Sequence, residues 1–564
     1  MTICFDRLII KNRKETQGMK KTLALFLSLL LLMAAGTGML AESEPKLAED
    51  QTLRVSIAVE LTDLNPLTES TDEGAITVMT FMDTLVRLAE GGVITEGSGL
   101  AESWDVSEDR LTYTFHIRDA KFSTGEPITA PDFEYTWKKV LDPATASEYA
   151  YMMYIIEGAE AYNTGEGPVE DVAIRAVDEK TLEVKLTTAV DYFVDTLVIP
   201  QFSVVPEGFV EEAGDDFFMD PEHMVFSGPF MLTEWVPAQS ITVEKNPNYW
   251  DADSVKLEKI VFEMARAANT VVNMYNADQV DVMLVPADFL DMYRNDAGFI
   301  SVTEPVAEYV KFNFENPYFA NESVRRAFSM ALNRESYIKD FMRNGSTPAY
   351  GFIPPNIKGS NGNDFRENNG DLLTDSGRGN TPEEAAAMLK KGLDELGKTL
   401  EEFNASGLSL VIGQGDANLR TAQVFQQYWK NVLGVDVEVK SLQYALRRAE
   451  YQGKEYTIGK EGWGADYPDA WSFLELFLSY SPYNDVYYVS PEYEALLEKA
   501  NTLHGSERLV ILEEAERLLI EEDAVIAPTF FQTRSWVTKD DVKGIIRNGS
   551  GLRCDYKLAY ISAE

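Results

Sequence analysis

The 564-residue chain carries 92 acidic against 50 basic residues, a formal charge of −42. Such a polyanion repels nucleic acid and anionic membrane surfaces, which argues against both as partners and suits a cationic or zwitterionic ligand. The length exceeds what one core sustains, so two or more domains are expected, and 45% hydrophobic with 11% aromatic residues is a globular composition.

The N-terminal region reads as a targeting segment. Lys20-Lys21 precede the apolar run 23–35, which is interrupted only by Ser28, and small residues follow up to a cleavage site after Ala41. The run is short for a membrane span, so a cleaved secretory signal is expected, with Met19 as the natural start. An uncleaved anchor is the alternative. Of the two cysteines, Cys4 lies upstream of the signal; Cys554 alone would remain, which leaves no internal disulfide.

Residues 53–59 read as the first strand, broken by Asn65-Pro66. Residues 75–88 have near-helical spacing of apolar positions. The alternating stretch 113–118 predicts a strand, and a turn at 123–127 leads to a helix over 131–140. Two strands are expected at 172–174 and 182–186, and a strand pair that opens at 227–230 and ends in 241–250. Residues 309–314 alternate as a half-buried strand, and Asn321 can cap a helix over 322–333. The Gly-, Asn- and Asp-rich stretch 359–380 reads as a mobile surface excursion. Thr381-Pro382-Glu383-Glu384 is a capping box that starts a helix. Strand 408–412, helix 417–433 and strand 435–439 compose a βαβ unit. Residues 456–458 read as a short strand. Ser506 caps a last long helix to residue 520, and 524–533 is an apolar strand able to cross back to the first half of the molecule.

After the strand at 456–458 comes Gly462-Trp463-Gly464-Ala465-Asp466-Tyr467-Pro468-Asp469, followed by the apolar run 471–477. Two glycines flank an indole and allow close backbone approach. Asp466 sits among apolar and aromatic residues, where a carboxylate needs a partner. It reads either as a helix-capping residue or as the acid of a ligand site that receives a cationic group.

This motif resembles that of the oligopeptide- and dipeptide-binding solute-binding proteins of ABC importers. The resemblance extends through residues 101–107 (AESWDVS), 114–137 (TFHIRDAKFSTGEPITAPDFEYTW), 243–250 (VEKNPNYW) and 324–334 (VRRAFSMALNR), in family order. It implies an α/β, two-lobe periplasmic-binding-protein fold with a hinge and an additional inserted domain. Carried onto this chain, residues 1–41 are extension and signal peptide. Lobe I is 42–83, 201–308 and 534–564, the additional domain is 84–200, and lobe II is 309–533. The resemblance implies that Asp466 holds the α-ammonium of a bound peptide and that Tyr444 walls an aromatic pocket. Backbone groups around Gly462 and Trp463, and at Ser70 and Thr71, would pair with the peptide main chain. Trp463 and Tyr467 either line the cleft or pack structurally. Lys460 is either a cation that meets the peptide carboxylate or a solvated lysine. Gram-positive relatives carry a lipid-modified cysteine after the apolar run; this chain has Ala34-Ala35-Gly36-Thr37-Gly38 there, which favours a periplasmic or secreted protein without lipid.

Catalytic signatures are missing from the sequence: no HExxH, GxSxG or P-loop lysine occurs, and His116, His223 and His504 are scattered. Gly413-Gln414-Gly415 lacks the third glycine of a dinucleotide turn. A binding protein is left, and the resemblance implies capture of oligopeptides for an ABC permease and its ATPase subunits, by a monomer with no cofactor and no metal. The alternative is the same fold binding a nickel chelate, an opine or an oligosaccharide. A secreted hydrolase or a surface adhesin is a more distant reading.

Overall fold

Strands and helices alternate along the chain, and the strands gather into two main sheets. In the computed structural model, residues 45–214, 221–373, 381–465, 467–549 and 551–563 are described. Cys4, the expected signal segment and Asp466 lie outside them. Residues Glu49–Ile561 make one compact unit.

Four strands, β2 (Ala101–Val106), β3 (Thr112–Ile117), β4 (Ile174–Asp178) and β5 (Thr181–Lys185), form an antiparallel sheet in the order β2-β3-β5-β4. The helix Ala130–Leu141 packs on it through buried Phe133, Trp137 and Val140, and begins with Thr129 and Asp132 bonded reciprocally. His116 is an ordinary member of β3, paired with Asp105 at 2.8 Å.

The larger sheet contains β1 (Thr52–Ile57), β6 (Phe230–Val236), β7 (Ser240–Lys245), β8 (Lys259–Met264), β9 (Val282–Leu284), β10 (Phe299–Phe312), β11 (Thr347–Pro348), β12 (Ser409–Gly413), β13 (Glu438–Leu442), β14 (Ile458–Gly464) and β15 (Ile526–Thr538). Its order is β13-β12-β14-β10-β15-β9-β1-β8-β7-β6, with β11 added on β15. This is the two-lobe α/β arrangement. One half is built on parallel β1, β8 and β9, the other on parallel β12, β13 and β14. Long antiparallel β10 and β15 run through both halves. Their register breaks between Thr303 and Ala307, where Pro305 has no N–H to give the ladder and a bulge absorbs it. The core of the second half lies between this sheet and the helices Glu322–Met330, Pro382–Glu395 and Asp416–Leu433, around Phe312, Phe328, Trp429 and Ile458.

Several local expectations shift. The first helix is Asp72–Phe81, not 75–88: Thr71 Oγ1 accepts from Gly74 N at 3.1 Å and sets the start. Met82 is extended, and Asp83 and Arg87 are drawn instead into a buried ion pair at 3.0 Å. The strand expected at 172–174 is Ile174–Asp178, and the one at 435–439 is Glu438–Leu442. The strand expected at 309–314 starts at Phe299, because β15 extends to Thr538 and supplies partners beyond the bulge. Ser506 is not a cap: the helix is Gly505–Arg517, and Ser506 Oγ accepts from Asn361 N at 3.0 Å.

The stretch 359–373 is a bonded element rather than a surface excursion. Asp364 caps the helix Phe365–Asn369, Asn369 is buried, and Ser360 N donates to Glu513 at 3.0 Å. Residues 374–380 lie outside the described residues. Asn321 caps its helix as expected, and Thr381 and Glu384 form the expected capping box. Cys554 is a buried free thiol.

Candidate ligand-binding site

The motif 462–469 is not simply a loop after a strand. β14 continues through Gly462, Trp463 and Gly464, paired with β10 from Phe312↔Ile458 to Val306↔Gly464. A β-carbon at Gly462 would lie 2.6 Å from Glu308 Oε1, so this glycine makes room for a carboxylate that crosses the strand. On its other edge β14 meets β12 only at Ile458 and Gly459. From Lys460 to Gly464 that edge has no strand partner among the described residues, and it leads to the bulge of β10.

At the bulge lies a cavity of about 300 Å³. Ser70, Thr71, Asp72, Pro305, Val306, Gly464 and Ala465 are among the residues that line it. Ala465 N donates to Pro305 O at 2.8 Å, which anchors the end of β14 to the bulge. Segments near residues 70 and 465 therefore meet at one opening, beside a free strand edge.

The other sequence candidates are placed differently. Thr71 caps the helix Asp72–Phe81 and donates its N–H and Oγ1–H to Glu69 Oε1, at 2.6 and 2.7 Å. Lys460 is held by Glu308 Oε2 at 2.5 Å and is largely buried; the solvated reading is wrong, since Gly462 opens the space for this pair. Trp463 is half-buried and meets Tyr483 edge-on at 5.2 Å between centroids. Tyr467 is buried and stacks on Tyr192 at 4.0 Å, with its hydroxyl donating to Glu475 at 3.2 Å. Tyr444 opens the helix Tyr444–Gln452 and is 71% exposed. Neither Tyr444, Trp463 nor Tyr467 lines this cavity.

Sequence reasoning missed five charged residues. Asp469, the second acid of the motif, is buried in a two-pronged pair with Arg508 at 2.7 and 3.0 Å and also accepts from Trp471 N at 2.8 Å. Buried Glu304, on the bulge, lies 3.0 Å from Arg534 and 3.2 Å from Arg553. Asp72 pairs with the same two arginines, and Arg553 lines the cavity. Lys311 is buried among Asp485, Glu461 and the Tyr451 ring. Glu69 is a buried wall of the cavity. A buried acid shows as such only when its surroundings are known; the one sequence hint is Gly74, five residues after Glu69.

The model of the bacterial extracellular solute-binding proteins, family 5, matches residues 97–485. The oligopeptide-binding protein OppA of Bacillus subtilis is 35% identical over 550 residues, covering 94% of this chain and 97% of that protein. The chain belongs to this family. Among solved family 5 structures, OppA of Listeria monocytogenes bound to peptide matches with a TM-score of 0.72 at 28% identity, over 92% of this chain and all of that one. The unliganded open form of MppA, a periplasmic murein tripeptide binding protein, matches with 0.78 at 25% identity, over 93% of this chain and 99% of that one. Members of the family are solute-binding proteins. Among the described residues no helix is long and apolar enough to cross a membrane.

Proposed function

We propose that this chain is the extracytoplasmic component of an ABC importer and captures oligopeptides in the cleft between its two lobes. The observation that carries this is the free edge of β14 from Lys460 to Gly464, opening into the cavity shared by Ser70, Thr71 and Ala465. A protein that accepts many peptides reads what they share: a main chain that adds to a strand edge, and an ammonium terminus. Asp466 follows Ala465 directly and is the proposed ammonium partner. The proposed lobes are 42–83 with 201–308 and 534–564, and 309–533, with 84–200 as the additional domain. The run 23–35 supports export with cleavage before Glu42, and the partners would be a membrane permease and its ATPase subunits, served by a monomer.

The test is calorimetry after a thermal-shift screen of a peptide library. Asp466→Asn should weaken peptide binding by about 30- to 4000-fold, the range for stranding one member of a desolvated ion pair. Acetylating the peptide amino terminus should weaken wild-type binding similarly, and the two losses should not add. Unimpaired binding of acetylated peptide would remove the ammonium site; no peptide binding at all would remove the function.

A further inference from the structure

Glu69 is an acid with no counter-ion at the wall of a ligand cavity. Its residue is 4% exposed, and no basic side chain among the described residues lies within ion-pair distance. Oε1 takes both bonds from Thr71, and the Ser70 N–H also bonds the carboxylate. The cation that shares the cavity wall, Arg553, is occupied by Asp72 and Glu304. The chain also makes room for this carboxylate: a β-carbon at Gly74 would fall 2.1 Å from its carboxyl carbon. Burial raises the Glu69 pKa, the Thr71 bonds oppose that rise, and Asp63 adds to it. The cavity wall mixes apolar residues, Ile76, Val198 and Pro200 among them, with polar ones. A wall that combines apolar residues with an uncompensated carboxylate suits a side chain with an aliphatic stem and a cationic head.

We infer that Glu69 is a specificity-determining residue that favours a lysine or arginine side chain on the peptide residue whose ammonium Asp466 holds. This rests on the peptide reading above and deepens it. The cationic head would pair with Oε2 while Thr71 keeps Oε1, so a buried unpaired acid becomes paired on binding.

The experiment compares Lys-Ala-Ala with norleucine-Ala-Ala and with Ala-Ala-Lys by calorimetry. Wild type should prefer Lys-Ala-Ala over the norleucine peptide by about tenfold or more, as expected for a hydrogen bond to a charged group. Glu69→Gln should bring that ratio close to one, and so should Gly74→Ala, which displaces the carboxylate by another route. Both variants are checked by melting; if neither folds, the wild-type ratios alone decide. Equal binding of the lysine and norleucine peptides overturns the inference. So does equal preference for lysine at the first and third positions, which would report only the overall negative charge. Failure of all three peptides to bind overturns the peptide reading and this inference with it. Binding of the norleucine peptide without lysine preference overturns the inference alone.

Discussion

Lys311 becomes an unusual titrating group only in the folded chain. Its Nζ, on a 3% exposed side chain, lies 3.2 Å from Asp485 and 3.4 Å from Glu461. It also sits 3.4 Å over the Tyr451 ring. Arg447 and Arg448 pair with the same two carboxylates from the helix Tyr444–Gln452. Desolvation is the largest influence and Asp485 only partly offsets it, so the pKa falls from 10.5 to about 7. Below pH 7 the lysine is charged in both states and the full cost of burial is felt. Between about 7 and 10.5 the unfolded chain holds a proton that the folded chain releases, so stability rises with pH across that window. Lys311→Met removes this dependence and leaves each acid its arginine. The stability difference, wild type minus variant, should climb by up to about 1.4 kcal/mol per pH unit between pH 7 and 9 in denaturant titrations. A flat difference would mean that Lys311 titrates normally. Asp469 makes the complementary point: it belongs to the motif, yet its two-pronged pair with Arg508 gives it a structural role.

At the scale of elements, the segment 359–373 is held by one helix rather than by a core of its own. Glu516, on Gly505–Arg517, accepts from Phe352 N at 2.7 Å and Ile353 N at 2.8 Å. It also takes Arg366 with both oxygens, at 2.6 and 2.8 Å, and Asn369 Nδ2 at 2.5 Å. Removing this buried carboxylate strands a largely buried guanidinium and two backbone donors. Glu516→Ala should loosen the segment by about 3–5 kcal/mol, the usual range for a broken buried pair. Limited proteolysis read by mass spectrometry should show new cuts between residues 354 and 373 while the sheet remains protected. An unchanged cleavage pattern would place the anchor elsewhere. The glycines of β14 act at the same scale: Gly462 keeps the strand regular while Glu308 and Lys460 pair across it.

At the scale of the whole molecule, β10 and β15 are the long strands common to both halves, and the bulge at Pro305 is where their ladder is interrupted. Hinges are placed at such points because a few residues absorb the change in φ and ψ. Peptide bound between the two halves should draw them together. Small-angle scattering should show a smaller radius of gyration with saturating peptide. Melting should rise in step, since a ligand at one hundred times its dissociation constant stabilises by about 2.7 kcal/mol. A confirmed ligand that leaves the radius unchanged would argue against hinge closure.

Much of this architecture is legible in the sequence, because its signals are local. The Thr381–Glu384 box, the Asn321 cap, the alternation of β3 and the βαβ unit after residue 408 rest on hydrogen bonds and faces set within a few residues. The motif blocks place the candidate site at residues 462–469 for the same reason: they are contiguous text. What only the tertiary structure decided is which charges are paired. Asp469 finds its cation at Arg508, Asp72 at Arg553 and Lys460 its acid at Glu308, while Glu69 finds none. These partners are distant in sequence, and an acidic chain offers many equivalent carboxylates to each base. Burial makes the choice matter, because a charge removed from water depends on the groups that arrive beside it, and the fold alone determines which groups those are.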